Sequence, residues 1–240
     1  MSGDTPPREP TDEERARWAA DARRFDAEAR KFAAEADAAE HKAAVAKIER
    51  EREEQKRERE RFADAYGDKI FRFTKQVSDA SVSECMTALS AWHRQDSTCA
   101  MEILFDSPGG SVVDGMHLFD YIVELRGQGH TINTRTRGMA ASMAGILLQA
   151  GEKRIMGPQA SLMIHEASFG ASGKIGDVED TVEWVNKVQE RILDIFAERC
   201  QATNAPKKLT KRQLRNKWRR KNWWLDAAEA LEFGLVDEVA

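Results

Sequence analysis

Two hydrophobic patterns divide the chain at Tyr66–Gly67. From residue 11 to 65, apolar residues recur every seven positions, and alanines interleave four residues after them. This spacing of about 3.5 residues is typical of a helix that buries a seam against a partner helix. The first set is Trp18, Phe25, Phe32, Ala39 and Ala46, and the second is Ala22, Ala29, Ala36 and Ala43. The pattern predicts a long helix with coiled-coil character over 11–65, about 80 Å long.

The ends of this first segment differ from its middle. Residues 1–10 hold three of the six prolines and predict a disordered lead. Residues 47–61 carry 13 charged side chains in 15 positions, of both signs. Such residues can pair at i,i+4 along a solvated helix, so a spacer is the simplest interpretation of this stretch.

From residue 66 to 240, short apolar runs alternate with helix-like stretches. This alternation predicts one α/β domain with right-handed crossovers. The predicted strands are 69–77, 99–107, 130–137, 153–157 and 160–167, and the predicted helices are 81–95, 111–129, 142–151, 178–201 and 210–221, with a final helix-turn at 226–239.

Composition narrows the class of protein. The three cysteines, Cys85, Cys99 and Cys200, show no C-x-x-C spacing, so neither a disulfide framework nor a zinc site is indicated. The N-terminus lacks an apolar signal core, and the longest mostly apolar run, 139–150, is too short to cross a bilayer. We expect a cytoplasmic protein with no metal or other cofactor. The net charge of −4 does not indicate a nucleic-acid partner.

Three local features could carry chemistry. Ser142 lies among glycines and alanines between a predicted strand and a predicted helix, which fits either tight packing or an accessible nucleophile. Gly109 and Gly110 follow a proline at the end of a strand, where free backbone N–H groups can bind an anion or an oxyanion. His165 follows an apolar strand, and the glycine-rich segment after it could pair with an extended peptide.

In their order and spacing these features resemble the Clp protease proteolytic subunit (ClpP) family and the wider ClpP/crotonase group of folds. The resemblance covers residues 69–240. It rests on SPGGSVVDGM (107–116), GMAASMAG (138–145), LMIHEA (162–167) and WLDAAEALEFGLVDEV (224–239). It implies a ClpP/crotonase-like βαβ spiral core, which the long N-terminal helix would precede.

The resemblance also implies residue roles. Ser142 would be the nucleophile and His165 its general base. The backbone N–H groups of Gly109 and Met143 would form the oxyanion hole. Substrate binding would involve Gly110, Ser111, Val112, Phe169 and Gly170.

The chain departs from the family pattern at Asn222, which stands where the family usually has the aspartate that orients the histidine. An asparagine can accept a hydrogen bond from the imidazole, but it cannot supply a negative charge to the imidazolium. We therefore expect reduced activity. Asp226, four residues later, is a possible substitute, although capping of the last helix is the simpler role.

The resemblance implies a serine endopeptidase that cleaves peptides inside a homo-oligomeric ring of six or seven subunits, and such rings stack in the family. An AAA+ ATPase partner would unfold substrates, because the chain has no GxxxxGK[ST] motif. Three alternatives stay open. They are a ClpP-like phage head-maturation protease with capsid or scaffold partners, a weakly active or inactive structural ring subunit, and, last, a crotonase-type acyl-CoA enzyme.

Residues 207–221 form a basic segment with nine basic side chains. Packing of an amphipathic helix through Leu214 and Trp218 explains it most simply. A nucleic-acid surface or pairing with acidic segments of a neighbouring subunit are the alternatives.

Overall fold

The computed structural model of the protein describes residues 11–13, 15, 17, 21, 23–26, 28, 30, 31, 42–54 and 69–240. The chain divides into two units, Met1–Glu58 and Arg59–Ala240. In the first unit, every described residue after Thr11 is helical, and the Phe25 side chain is 71% exposed. The lead 1–10, most of the predicted seam and the predicted boundary at 65–66 lie outside the described residues. The continuous helix, the coiled coil and these boundaries therefore stay predictions.

The second unit alternates strands and helices, as the sequence predicts. The elements are β1 (Ile70–Phe73), α1 (Asp79–Gln95), β2 (Ala100–Ser107), α2 (Val112–Gly127), β3 (Thr131–Ala141), α3 (Met143–Leu147) continued by a 3₁₀ turn (Leu148–Ala150), β4 (Arg154–Met156), β5 (Ser161–Ile164), α4 (Ile175–Gln201), α5 (Lys211–Trp218), β6 (Trp223–Leu225), α6 (Ala227–Glu232) and β7 (Glu238–Val239).

The sheet forks at β3. β1, β2 and β3 pair in parallel order, and β3 is long enough to take two further parallel partners in succession. Residues 134–136 of β3 pair with β4, and residues 139–141 pair with β5. β7 extends the first branch in parallel, whereas β6 extends the second branch antiparallel to β5. The second branch therefore carries the end of β3, where Ser142 follows, next to the end of β5, where His165 follows.

The mixed α/β architecture with a parallel sheet confirms the predicted fold class. Several details differ from the sequence prediction. β3 runs to Ala141, four residues past its predicted end, whereas β1, β5 and α5 end three or four residues early. α4 begins at Ile175, three residues before the predicted start, and the short strands β6 and β7 were not predicted. Runs of three and two residues are too short for a period-2 pattern, and they are strands because the edges of β5 and β4 supply hydrogen-bond partners.

A buried arginine connects the first branch of the sheet to α3. The Arg154 side chain is fully buried and forms two hydrogen bonds to the Asp237 carboxylate, at 2.9 and 2.7 Å. It also donates to the Gln149 side chain at 2.6 Å, and Gln149 in turn donates to the carbonyls of Gly145 and Leu235. This network ties the end of the chain to the helical segment that follows Ser142.

The basic segment packs as the simplest interpretation predicts. Leu214 and Trp218 of α5 are buried, which confirms the packing role. On the outer face of α5, Lys211 pairs with Asp194 and Arg215 with Glu190, both from α4, at 2.5 Å. α5 is thus held against α4 by apolar contacts on one face and ion pairs on the other.

The last helix begins with a capping box. The Asp226 carboxylate accepts a hydrogen bond from the Glu229 N–H at 2.8 Å, which confirms the capping role expected for this residue. Within the described part of the chain, no helix combines the length and apolarity needed to cross a bilayer.

Candidate active site

Ser142 occupies a strained turn between β3 and α3. Its φ is +53° and its ψ is −123°, a region that non-glycine residues rarely adopt and that costs ~1–3 kcal/mol. The surroundings hold it there, since its N–H donates to the Met163 carbonyl of β5 at 2.9 Å. The hydroxyl makes no hydrogen bond to cap α3, so it is free to face another partner. A sharp strand-to-helix turn of this kind exposes a nucleophile.

The small residues around Ser142 serve both packing and access. Ala140 and Ala144 are fully buried, and a Cβ on Gly145 would lie 3.0 Å from a Leu162 methyl of β5. On the other side, a Cβ on Gly109 would lie 2.7 Å from the Ser142 Cβ. The small residues therefore fit both interpretations of this stretch, tight packing and an accessible nucleophile. Gly145 lets the turn pack against β5, and Gly109 lets the backbone of the glycine pair approach Ser142.

The glycine pair is held by its neighbours in a fixed conformation. Gly109 and Gly110 have φ of +90° and +150°. The Val77 N–H donates to the Gly109 carbonyl at 2.8 Å, and the Ser111 N–H donates to the Val77 carbonyl at 2.9 Å. A Cβ on Gly110 would lie 2.3 Å from that Val77 carbonyl, so this close approach requires glycine.

The backbone donors near Ser142 are not equally available. The Met143 N–H makes no hydrogen bond to another described residue, and a Cβ on Gly109 would lie 2.8 Å from its nitrogen. The Gly109 N–H, in contrast, already donates to the buried Ser107 hydroxyl at 3.2 Å. The Gly110 N–H has no hydrogen-bond partner among the described residues. The turn thus offers two unoccupied donors, at Gly110 and Met143.

His165 directly follows β5 and faces the serine. Its Nε2 lies 2.8 Å from the Ser142 Oγ, which is hydrogen-bond distance. The ring is partly buried, and this burial lowers the pKa of His165 below its ordinary value of 6.5. The neutral imidazole is therefore the main form at pH 7, and a neutral Nε2 can accept a proton from the hydroxyl.

Asn222 lies next in register to His165, but it is exposed. Ile164 of β5 pairs with Trp223 of β6, so one further antiparallel step places Asn222 opposite His165. Directly opposite residues extend to the same face of a sheet. Among the described residues, however, the His165 ring bonds to Ser142 and makes no hydrogen bond to Asn222. The structure brings Ser142 and His165 together and leaves Asn222 nearby without a bond to the imidazole.

The turn before Asn222 is fixed by the residue after His165. The Glu166 carboxylate accepts a hydrogen bond at 2.9 Å from the N–H of Arg220, whose φ of +57° is left-handed. This bond links the His165 segment to the turn that leads into β6. Sequence reasoning missed it because the two residues are 54 positions apart.

A narrow pocket opens beside the serine–histidine pair, with a cavity volume of about 20 Å³. Of the predicted substrate-binding residues, Val112 lines it. The other lining residues are Ser142, Met143, Ile146, Ile164, His165, Ala167, Ile192, Phe196 and Trp218. The contributions from α4 and α5 were not predicted as site residues, because they come from segments that are distant along the chain.

The remaining predicted binding residues lie at the edge of this site. The Ser111 hydroxyl caps α2 by accepting from the Asp114 N–H at 3.3 Å. Phe169 and Gly170 lie in the loop after His165, outside the pocket lining, and the Phe169 side chain is 51% exposed. That loop forms no strand, although its Ala167 N–H already donates to the Gln189 side chain at 3.2 Å, so pairing with an extended peptide stays a prediction.

Comparison with known families agrees with this geometry. The sequence profile of the Clp protease family matches residues 51–240, which is most of the chain and begins before the residue 69 expected from the motifs. The match includes the segments that carry Ser142, His165 and the glycine pair. The chain therefore belongs to the Clp protease family, whose members are serine-type peptidases.

Proposed function

We propose that this protein is a serine endopeptidase in which Ser142 attacks a peptide carbonyl and His165 acts as the general base. The observation that carries the proposal is the 2.8 Å contact between His165 Nε2 and Ser142 Oγ, made at a strained turn. Burial keeps the imidazole neutral at pH 7, which is the form that accepts a proton.

The chemistry follows from these positions. Ser142 Oγ forms a bond to the carbonyl carbon while its proton passes to His165 Nε2. The resulting oxyanion accepts hydrogen bonds from the Met143 N–H and from the glycine turn, where the Gly110 N–H has no partner among the described residues and the Gly109 N–H already bonds to Ser107. His165 then gives its proton to the leaving amine as the C–N bond breaks, and a water molecule hydrolyses the acyl-serine by the same route in reverse.

Asn222 acts in this proposal as a weak orienting residue. The pairing of Ile164 with Trp223 supports this role, because one further antiparallel step sets residue 222 opposite His165. Its amide oxygen can accept from Nδ1–H, but it adds no negative charge. Activity is accordingly lower than an aspartate at this position would give.

Assembly into a ring supports the same function. Clp protease family members usually form oligomeric rings, and a ring would sequester the serines from folded proteins. Rings of six or seven subunits and an AAA+ ATPase partner that unfolds substrates are part of this proposal. The long charged N-terminal segment favours a specialised assembly, such as one with capsid or scaffold proteins.

A second candidate function is a structural ring subunit with little activity. It is favoured by the exposed Asn222, which makes no hydrogen bond to His165 among the described residues. The serine–histidine contact favours the peptidase, because a purely structural subunit has no need of a strained serine facing a neutral imidazole.

The intact mass of the protein after exposure to a fluorophosphonate tests the proposal. One adduct is expected on the parent and none on Ser142→Ala. Ser83→Ala is the matched control, since Ser83 is exposed on α1 and contacts no part of the site. If the parent forms rings but takes no adduct, the peptidase is wrong and the structural subunit stands.

A further inference from the structure

One wall of the pocket beside Ser142 consists of two aromatic rings. Trp218 of α5 and Phe196 of α4 meet there edge to face, with ring centroids 6.4 Å apart and an interplanar angle of 89°. Both rings are almost fully buried. Two large aromatic side chains thus occupy space that adjoins the nucleophile.

Any substrate must place one side chain against this wall. When Ser142 Oγ approaches a peptide carbonyl carbon, the side chain on the preceding Cα (the P1 side chain) lies only two bonds from that carbon. The pocket includes Ser142 and His165 in its lining, so a P1 side chain next to the attacked bond can enter it. Its other lining side chains are apolar, which excludes a charged P1 residue.

The free volume sets the size of that side chain. The cavity measures about 20 Å³, whereas a single water-sized probe sphere needs ~10–15 Å³. The space that is free without movement is therefore that of a single small group, and it is less than the four carbons of a leucine side chain or the seven of a phenylalanine side chain occupy. Larger groups require Trp218 or Phe196 to move.

Trp218 is held against such movement. α5 begins with a capping box between Thr210 and Gln213. Its outer face is paired to α4 through Lys211 and Arg215, and the Trp218 carbonyl accepts from the Lys221 N–H at 3.1 Å. The ring is therefore part of a helix fixed on both faces.

We propose that Trp218 makes this protein a peptidase selective for small P1 residues, alanine above all, by closing the pocket to larger side chains. The inference rests on the proposed function, since it concerns the side chain next to the bond that Ser142 attacks. Trp218 is then a specificity-determining residue and takes no part in proton transfer.

Peptidyl diphenyl phosphonates test this inference. Ser142 Oγ attacks phosphorus and displaces one phenol, while the hydroxyl proton leaves through His165, so each reaction adds one phosphonyl group to the mass of the protein. Three probes with identical peptide portions carry the P1 side chain of alanine, leucine or phenylalanine. The second-order rate constant of labelling is measured by intact mass.

The parent is expected to react with the alanine probe at least about tenfold faster than with the other two, because a single surplus methylene in a hydrophobic pocket changes rates by ~10–200-fold. Trp218→Leu opens the pocket and is expected to reverse this order. Trp92→Leu is the matched control, since Trp92 is equally buried but lies on α1 and lines no part of the pocket, and it keeps the order of the parent.

Equal or faster reaction of the parent with the phenylalanine probe overturns the inference, and so does an unchanged order in Trp218→Leu. If that variant does not fold, Trp218→Phe removes one ring of the indole while it keeps an aromatic contact, and it is expected to admit leucine. A small fluorophosphonate without a P1 side chain tests the nucleophile separately from the P1 preference. Labelling by that probe with no preference for alanine refutes the inference alone, whereas no labelling by any probe refutes the proposed function and the inference with it.

Discussion

Replacing Asp237 by asparagine tests how the scaffold behind the nucleophile is held together. The Arg154 guanidinium is fully buried, and the Asp237 carboxylate is its counter-ion at 2.7 Å. Arg199 lies 3.9 Å from the same carboxylate, and burial together with the charge of Arg154 lowers the pKa of Arg199 to about 10. Asparagine has nearly the same shape but no charge, so the variant leaves two neighbouring guanidinium groups without their shared anion.

The expected loss of stability is about 3 kcal/mol. Breaking a buried ion pair by removing one partner costs ~3–5 kcal/mol, because a charge stays buried without compensation. The lower end applies here, since the Asp237 side chain is 26% exposed and the asparagine oxygen still accepts one hydrogen bond. For a protein of this size, ~1 kcal/mol shifts Tm by about 2–4 °C, which gives a decrease of about 6–12 °C.

The stability that Asp237 contributes decreases as the pH falls. Burial alone would raise the pKa of Asp237, but its hydrogen bonds and ion pair with Arg154 outweigh burial and lower the pKa below 3.8. A carboxylate whose pKa is lowered by folding stabilises the protein fully above pH 3.8 and loses this effect as the pH falls through the lowered value. The difference in Tm between parent and variant is therefore largest near pH 7 and shrinks below pH 3.8.

Thermal unfolding followed by circular dichroism, at one fixed protein concentration, measures both effects. Glu183→Gln is the control, because Glu183 and Lys187 form an ion pair at the same distance of 2.7 Å but with side chains 67% and 72% exposed. An exposed pair adds little to stability, so Glu183→Gln is expected to keep the Tm of the parent to within about 2 °C. If Asp237→Asn melts within 2 °C of the parent at pH 7, the reasoning about the buried pair is wrong. A difference that persists unchanged below pH 3 refutes the ionic origin.

Three predictions concern the candidate site. Asn222→Asp raises kcat/KM for peptide hydrolysis by at least about tenfold, with the ~10⁴ lost on the opposite exchange in another serine protease as the upper limit. In the parent, the rate of fluorophosphonate labelling falls on the acid side with a midpoint below pH 6.5, because burial lowers the pKa of His165. Gly109→Ala slows labelling by at least about 100-fold, because its Cβ would lie 2.5 Å from the Ala141 carbonyl at a φ of +90°, and a misplacement of 1 Å can cost this much.

Each of these predictions has a control variant or an outcome that contradicts it. Gly127→Ala is matched to Gly109→Ala, since a Cβ at Gly127 meets nothing within 4 Å, and it keeps the labelling rate of the parent. In Asn222→Asp the acid midpoint also moves upward, because a nearby carboxylate favours the imidazolium. A variant that gains neither activity nor a higher midpoint shows that residue 222 does not orient His165. A midpoint at or above 6.5 in the parent means that burial does not set the pKa of the base.

Local sequence signals indicated the serine, the histidine and the glycine turn as candidates, whereas their roles came only from the family resemblance. Ser142 and Gly109 lie in short stretches whose small residues have a direct steric cause, as the Cβ distances around them show. The alternation of apolar runs with helical stretches likewise follows from burial of a parallel sheet. These features depend on a few neighbouring residues, so the chain alone predicts them.

Features that depend on contacts between distant segments could not be predicted from the sequence. The pocket wall requires α4 and α5 to fold back over β5, and nothing near Ser142 in the sequence indicates Trp218. Which glycine N–H is unoccupied depends on the rotamer of Ser107, since its hydroxyl accepts from Gly109. β6 and β7 are strands because they pair with β5 and β4. Segments of three and two residues are too short to carry a strand pattern of their own.

The fork of the sheet at β3 also has a consequence for biosynthesis. Ser142 and His165 leave the ribosome well before β6, which pairs with the strand that ends at His165, and before Asp237, which balances Arg154. During translation the two reactive side chains therefore exist without the strand and the counter-ion that complete their support. The edge of β5 and the buried guanidinium of Arg154 therefore gain their partners only when these later segments join the sheet, so the scaffold behind the candidate site is completed late in synthesis.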